Sequence, residues 1–137
     1  MTTAREIMHT GAVCVQENET LVDAARRMDE LGIGALPICG PDDRLHGMIT
    51  DRDIVVKCLA KDKDPRHMTA GHLAQGKPIT VDADADSEQV LRTMTEHHIR
   101  RVPVIDDHRL VGMISEADLA RHLDEQQVGM FVEAVCA

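Results

Sequence analysis

Apolar positions along the chain change period several times, and the same succession of periods runs twice. Val13-Cys14-Val15 is a brief apolar-rich run between polar residues, which suits a strand. Thr20 and Asp23 resemble a capping box, and behind them Leu21, Ala24, Ala25, Met28 and Leu31 recur at helical spacing, so an amphipathic helix is expected. Gly32 and Gly34 close it. Ala35-Leu36-Pro37-Ile38-Cys39 reads as a second strand whose proline argues for a sheet edge or a strand start. The turn residues Gly40-Pro41-Asp42-Asp43 lead through Arg44-Leu45 into an apolar Gly47-Met48-Ile49 strand, which predicts a hairpin, and a second helix is expected from Asp51 to about Lys61.

Sixty-five or sixty-six positions later the pattern returns. A short turn or helix at Thr3 to Met8 matches Thr69 to Ala74, and Ile79-Thr80-Val81 matches the first strand. Asp86 with Gln89 opens a helix over 87–97 carrying Val90, Leu91 and Met94. Arg101-Val102-Pro103-Val104-Ile105 and Gly112-Met113-Ile114 form a hairpin around Asp106-Asp107-His108, and a last helix runs from Glu116 to about Leu123. The expected fold is α/β (α+β): two half-domains, each strand-helix-strand-strand-helix, packed as a pseudo-twofold pair. The halves are residues 1–62 and 69–124, joined by a charged, proline-containing linker, 63–68. A helical tail, 125–137, presents Val128, Phe131, Val132 and Val135 as an apolar stripe.

Composition removes several function classes. The chain has 137 residues, a formal net charge of −9 and no basic run longer than Arg100-Arg101, so a surface that tracks nucleic-acid phosphates is not expected. With one Phe and no Trp or Tyr, it lacks platforms for base stacking. No apolar run approaches a membrane span and the N-terminus has no signal-like core, so a soluble cytoplasmic protein is expected. The four cysteines show no Cys-x-x-Cys spacing, and no nucleophile or phosphate-loop motif is present. The acidic run Asp82 to Asp86 precedes a helix start, where negative charge is favourable without any metal.

The candidate chemistry lies where each third strand ends. Thr50 and Ser115 are each followed three residues later by an acid, Asp53 and Asp118. A hydroxyl and an acid at that spacing cap the free N–H groups of a helix start, and the same donors and dipole suit an anionic ligand. Cap and binding site look alike in sequence.

Leu36-Pro37-Ile38 or Val102-Pro103-Val104, followed by Gly-Met-Ile-Thr-x-x-Asp or Gly-Met-Ile-Ser-x-x-Asp, resembles the cystathionine-β-synthase (CBS) domain pair over nearly the whole chain. In overall plan it is similar to the stand-alone hypoxic-response members of that family in actinobacteria. The resemblance implies inter-domain clefts that bind adenosine-containing ligands such as AMP, ATP or S-adenosylmethionine. By position, Asp53 and Asp118 match the acid that takes ribose hydroxyls, Thr50 and Ser115 the hydroxyl at the helix start, and Arg100 and Arg101 basic side chains that reach phosphates. The first copy has Gly34 and Ala35 where the second has the two arginines, so the two sites are not equivalent. The family also implies a homodimer, to which the apolar tail adds surface.

Of eight histidines, His9, His46, His67, His72 and His108 fall in turns or near the linker, where solvated histidine is ordinary. His97 aligns with Leu31 on an apolar face and is expected to be at least partly buried. In the proposed fold it approaches His122, and two imidazoles suit zinc if water, His98 or a second chain completes the ligand set. Cys14 and Cys39 fall on strands that a strand-helix-strand crossover makes parallel neighbours, so they are the expected disulfide pair. Two readings follow. One is a non-enzymatic sensor module that binds an adenosine-containing ligand and acts on an unidentified partner protein. The other is a stress-response structural protein with a zinc site, a redox-sensitive cysteine pair and no nucleotide.

Overall fold

Helix starts are set by their caps. In the computed structural model, which describes residues 2–11, 13–76 and 78–136, the Thr20 hydroxyl accepts the N–H of Asp23 and the Asp23 carboxylate accepts that of Thr20, both at 3.1 Å. Helix α2 (Leu21–Leu31) starts there and stops at Gly32, whose φ of 66° lies in the left-handed region. Its buried stripe is Leu21, Ala24 and Met28. Ala25 and Leu31 fall outside it and are exposed, which narrows the expected apolar face.

Two three-stranded sheets form, one per unit, in orders β1-β2-β3 and β4-β5-β6. In the first, β1 (Val15–Gln16) runs parallel to β2 (Ala35–Cys39), which pairs antiparallel with β3 (Leu45–Thr50). In the second, β4 (Val81–Asp82), β5 (Arg101–Asp106) and β6 (Arg109–Ser115) repeat this arrangement. The first strands start later than expected, leaving Val13, Cys14, Ile79 and Thr80 outside them. Their length is limited by their partners: β1 reaches only Ile38 and Cys39 before the hairpin turn begins at Gly40. This also corrects the expectation that the prolines mark edge strands, since β2 and β5 are central. Pro37 pairs with Met48 on one side and lies ahead of the β1 ladder on the other, and Pro103 has the same relation to Met113 and β4. Each proline occupies a locally one-sided position inside a central strand, where its missing N–H costs little.

By spatial contact, Val13–Pro78 forms one unit, and the segment through Gly11 joins Ile79 onward in the other. Helix α1 (Ala4–Ile7) therefore completes the core of the second sheet. Ala4 and Ile7 are buried among Val90, Val102, Ile114 and Leu119, and Ala4 N–H donates to Ala85 O at 2.7 Å. In the other unit a 3-10 turn, Ala70–Leu73, plays this part, with Ala70 and Gly71 N–H donating to Glu19 O and Glu17 O. Both crossing segments press onto a glycine of the third strand. A Cβ on Gly47 would stand 3.1 Å from Ala74 Cα, and one on Gly112 would stand 2.8 Å from His9 O. The close backbone approach explains glycine at both places.

The remaining helices are α3 (Asp51–Lys57), followed by a 3-10 turn at Leu59–Lys61, then α4 (Ser87–Glu96), α5 (Glu116–His122) and α6 (Glu125–Cys136). In α6, Phe131 is buried and Val135 packs against the same core, but Val132 is 43% exposed, so it leaves the expected docking stripe. Cys14 and Cys39 are disulfide-bonded with Cα atoms 5.7 Å apart, tying the approach to β1 to the end of β2 as the crossover predicts. Cys58 is a buried free thiol and Cys136 an exposed one.

Candidate functional site

Both hydroxyl-x-x-Asp patterns form capping boxes. At the end of β3, Thr50 Oγ1 accepts the Asp53 N–H at 3.1 Å, and Asp53 Oδ2 accepts the Thr50 N–H at 2.9 Å. At the end of β6, Ser115 Oγ accepts the Asp118 N–H at 3.4 Å, and Asp118 Oδ2 accepts the Ser115 N–H at 2.8 Å. Every strand end of this kind needs its orphan donors satisfied, so the cap alone accounts for these residue types.

The surroundings of the two carboxylates then diverge. Asp53 meets Lys57 Nζ at 3.2 Å, one helical turn on. Asp118 is only 3% exposed, the one buried charged residue among those described. Its Oδ2 also accepts the Ser115 hydroxyl at 3.0 Å and His9 Nδ1–H at 2.8 Å, while Oδ1 accepts Arg121 at 3.1 Å. Burial alone pushes its pKa up, but the hydrogen bonds from Ser115 N–H, His9 and the Ser115 hydroxyl outweigh that and hold it below its ordinary value. The group is an ionised, fully subscribed acceptor. Its two exposed partners are His9 and Arg121.

His9 reaches Asp118 because the segment after α1 bridges to β6. His9 N–H donates to Met113 O at 3.0 Å, and Met113 N–H donates back to His9 O at 3.2 Å. The sequence reading placed His9 in a solvated turn and missed this contact. Periodicity carries no signal for it, because it depends on which residue of a crossing segment lands opposite Met113. His46, also expected in a turn, lies within β3 and stands 3.3 Å from Glu17.

The same end of the second sheet carries the two arginines. Arg101 pairs in register with Ser115, and Arg100 O accepts the Glu116 N–H at 3.1 Å, so Arg100, Arg101, Ser115 and Asp118 share one strand-to-helix corner. Both arginines are exposed. The first sheet has the same backbone arrangement without cations at the two matching positions: Ala35 pairs with Thr50, and Gly34 O accepts the Asp51 N–H at 3.0 Å.

A model of the CBS domain matches residues 4–59 and again 70–125. The chain belongs to the CBS-domain family. This CBS pair is 58% identical over 137 residues to Hypoxic response protein 1 of Mycobacterium tuberculosis, spanning 100% of this chain and 96% of that one. It is 32% identical to the CBS domain-containing protein YhcV of Bacillus subtilis, over 88% of this chain and 84% of that one. Among solved structures it is similar to Hypoxic Response Protein I with two coordinated zinc ions, at TM-score 0.84 and 60% identity, covering 90% of this chain and 100% of that one. The CBS pair of protein MJ0100, solved with 5′-methylthioadenosine and S-adenosylmethionine, matches at TM-score 0.77 and 30% identity, over 88% and 94% of the two chains.

The candidate metal ligands of this CBS pair depart from expectation as well. His97 is exposed rather than part-buried, because α4 ends at Glu96 and the chain turns away at His97 and His98, the latter with φ 53°. Leu31, its counterpart and the last residue of α2, is 48% exposed as well. His122 is the last residue of α5 and is exposed as well. In both, Nδ1 lies 2.9 Å from the carbonyl oxygen one turn back, Thr93 O for His97 and Asp118 O for His122. A carbonyl only accepts, so each Nδ1 carries a proton, and in the neutral imidazole Nε2 then keeps the lone pair. Among the described residues no group of three or more His, Cys, Asp and Glu converges as a metal site.

Proposed function

We propose that this CBS pair is a non-enzymatic sensor that binds an adenosine-containing ligand of the AMP, ATP or S-adenosylmethionine kind at the corner formed by Arg100, Arg101, Ser115 and Asp118. The observation that carries the reading is the backbone register that sets two exposed arginines, Arg100 and Arg101, beside Ser115 and the buried, ionised Asp118 at the N-terminus of α5. A carboxylate accepts ribose hydroxyls, and guanidiniums with helix-start N–H groups suit phosphate. The corner at Thr50 and Asp53 is the weaker site, because Gly34 and Ala35 bring no cation. The relative solved with 5′-methylthioadenosine and S-adenosylmethionine supports the ligand class. Calorimetry with AMP, ATP and S-adenosylmethionine tests it. One of them is expected to bind, with Asp118→Ala costing about 1.5 to 3 kcal/mol, the worth of hydrogen bonds to a charged group. No heat from any of the three at millimolar concentration rejects the reading.

A second reading, a stress-response protein with zinc held by His97 and His122, is favoured by one feature of the side chains. Each imidazole is held through Nδ1–H by a carbonyl, with Nε2 free, which is the usual orientation of a metal-ligating histidine. Tetrahedral zinc needs further ligands, from water, His98 or a second copy of the chain in a homodimer. The zinc-containing relative supports it. Metal content measured by mass spectrometry on the unmodified protein, His97→Ala and His122→Ala decides: zinc in the first and its loss in both variants is expected, and equal metal in all three places the ligands elsewhere.

A further inference from the structure

The chain contains four lysines, and three of them, Lys57, Lys61 and Lys63, line one open cavity of about 610 Å³ together with Met68, His72 and Leu73. All six residues belong to the unit Val13–Pro78. Concentrating cations is unexpected in a chain of net charge −9. Lys57 has Asp53 as an ion-pair partner, but Lys61 and Lys63 have none among the described residues. Neither Asp62 nor Asp64 lines the cavity, and Asp64 is engaged by Arg66 through its N–H at 2.9 Å and Nε at 3.4 Å.

The rim is built by the backbone. After α3 the chain makes the 3-10 turn Leu59–Lys61, reverses at Asp62 with φ 56°, and returns so that Lys63 N–H donates to Cys58 O at 3.0 Å. The buried Cys58 thiol donates to Lys63 O at 3.3 Å and pins the return. Beside it, the Thr69 N–H donates to His72 Nδ1 at 3.0 Å, which places the imidazole proton on Nε2 and makes that nitrogen a donor. The apolar part of the lining comes from Met68 and the buried Leu73. In the other half the positions matching Lys57, Lys61 and Lys63 are His122, Gln126 and Val128, so the repeat does not duplicate this feature.

We propose that this cavity binds a small polyvalent phosphate, the phosphoryl oxygens on Lys61 and Lys63 and any organic body against Met68 and Leu73. Ammonium groups are compact charges without the planar fork that suits carboxylates, and two of them with no carboxylate partner among the described residues, lining one concave site, attract a multiply charged anion. The volume falls within the roughly 300 to 1,000 Å³ usual for small-molecule sites. The site shares no residue with the corner at Asp118 and does not depend on ribose recognition.

Calorimetry on the full chain with inorganic pyrophosphate tests it, beside octanoate as a monovalent apolar anion. Pyrophosphate is expected to bind saturably at one site per chain, to weaken as salt is raised, and to lose at least about tenfold in affinity in Lys61→Gln/Lys63→Gln. Both lysines are exposed, so that variant should unfold at the temperature of the unmodified protein. Arg92→Gln, at an exposed position of α4 that belongs to neither proposed site, should bind pyrophosphate unchanged. The proposal is overturned by absence of saturable binding at millimolar pyrophosphate, by undiminished binding in the lysine variant, by loss in the arginine variant instead, or by octanoate binding where pyrophosphate does not.

Discussion

Asp118 concentrates the chemistry of its corner in one side chain. Because its folded pKa is lowered from the ordinary 3.8, the stability it contributes is present above that value and is lost as pH falls through the folded pKa. Glu19, lowered chiefly by its bond to Arg27, acts in the same direction. Urea unfolding of Asp118→Asn and the unmodified protein at pH 7 and below pH 4 should show the gap between them shrinking in acid; an unchanged gap would show that the carboxylate's ionisation is not what stabilises. Gly112 offers a second residue-level test. A Cβ there would crowd His9 O at 2.8 Å, so Gly112→Ala should destabilise by about 1 to 3 kcal/mol, the usual cost of overpacking. Its unfolding midpoint measures this, and a neutral result would mean that the crossing segment is free to move aside.

At the level of elements, short pieces are held by caps and one covalent link. Helix α3 has seven residues, too few for stability without help, so removing the Thr50 hydroxyl in Thr50→Ala should cost about 1 kcal/mol even with no ligand present. Chemical denaturation of the ligand-free variant checks it. Strand β1 has two residues and depends on β2 and on the Cys14–Cys39 link. Closing a chain separation of 25 residues restricts the unfolded state by on the order of 3 kcal/mol. Reduction should therefore lower the melting temperature by roughly 10 °C for a chain of this size. Calorimetric scans with and without a phosphine reductant give the number, and peptide mapping under non-reducing conditions should return Cys14 linked to Cys39.

At the scale of the whole molecule, Val55 (54% exposed), Val56 (38%) and Leu59 (52%) form an apolar group on and just after α3 that the chain does not cover itself. Isolated exposed apolar residues are ordinary, but neighbouring ones mark interaction surface. Our proposal of a homodimer predicts a light-scattering mass of twice the 15.1 kDa chain, falling to the single value in Val55→Glu/Val56→Glu. A monomer in the unmodified protein would remove the second copy as a source of zinc ligands as well. No helix among the described residues is long and apolar enough to cross a membrane.

The sequence by itself determined what depends on neighbours along the chain. Thr20 with Asp23, Thr50 with Asp53 and Ser115 with Asp118 are capping boxes in the structure because a cap spans four residues, and both hairpins follow from turn residues between apolar runs. The Cys14–Cys39 pair was legible too, since a strand-helix-strand crossover leaves few ways to pair the strands. Tertiary structure alone decided that α1 completes the core of the second sheet, that His9 rather than solvent meets Asp118, that His97 is exposed, and that three lysines surround one cavity. The first two depend on where a segment lands after a long excursion, the third on where α4 stops, and the last on the chain reversal at Asp62 and its packing beside Met68 and Leu73. Hydrophobic period specifies which face of an element is buried, but not which distant residue packs on it.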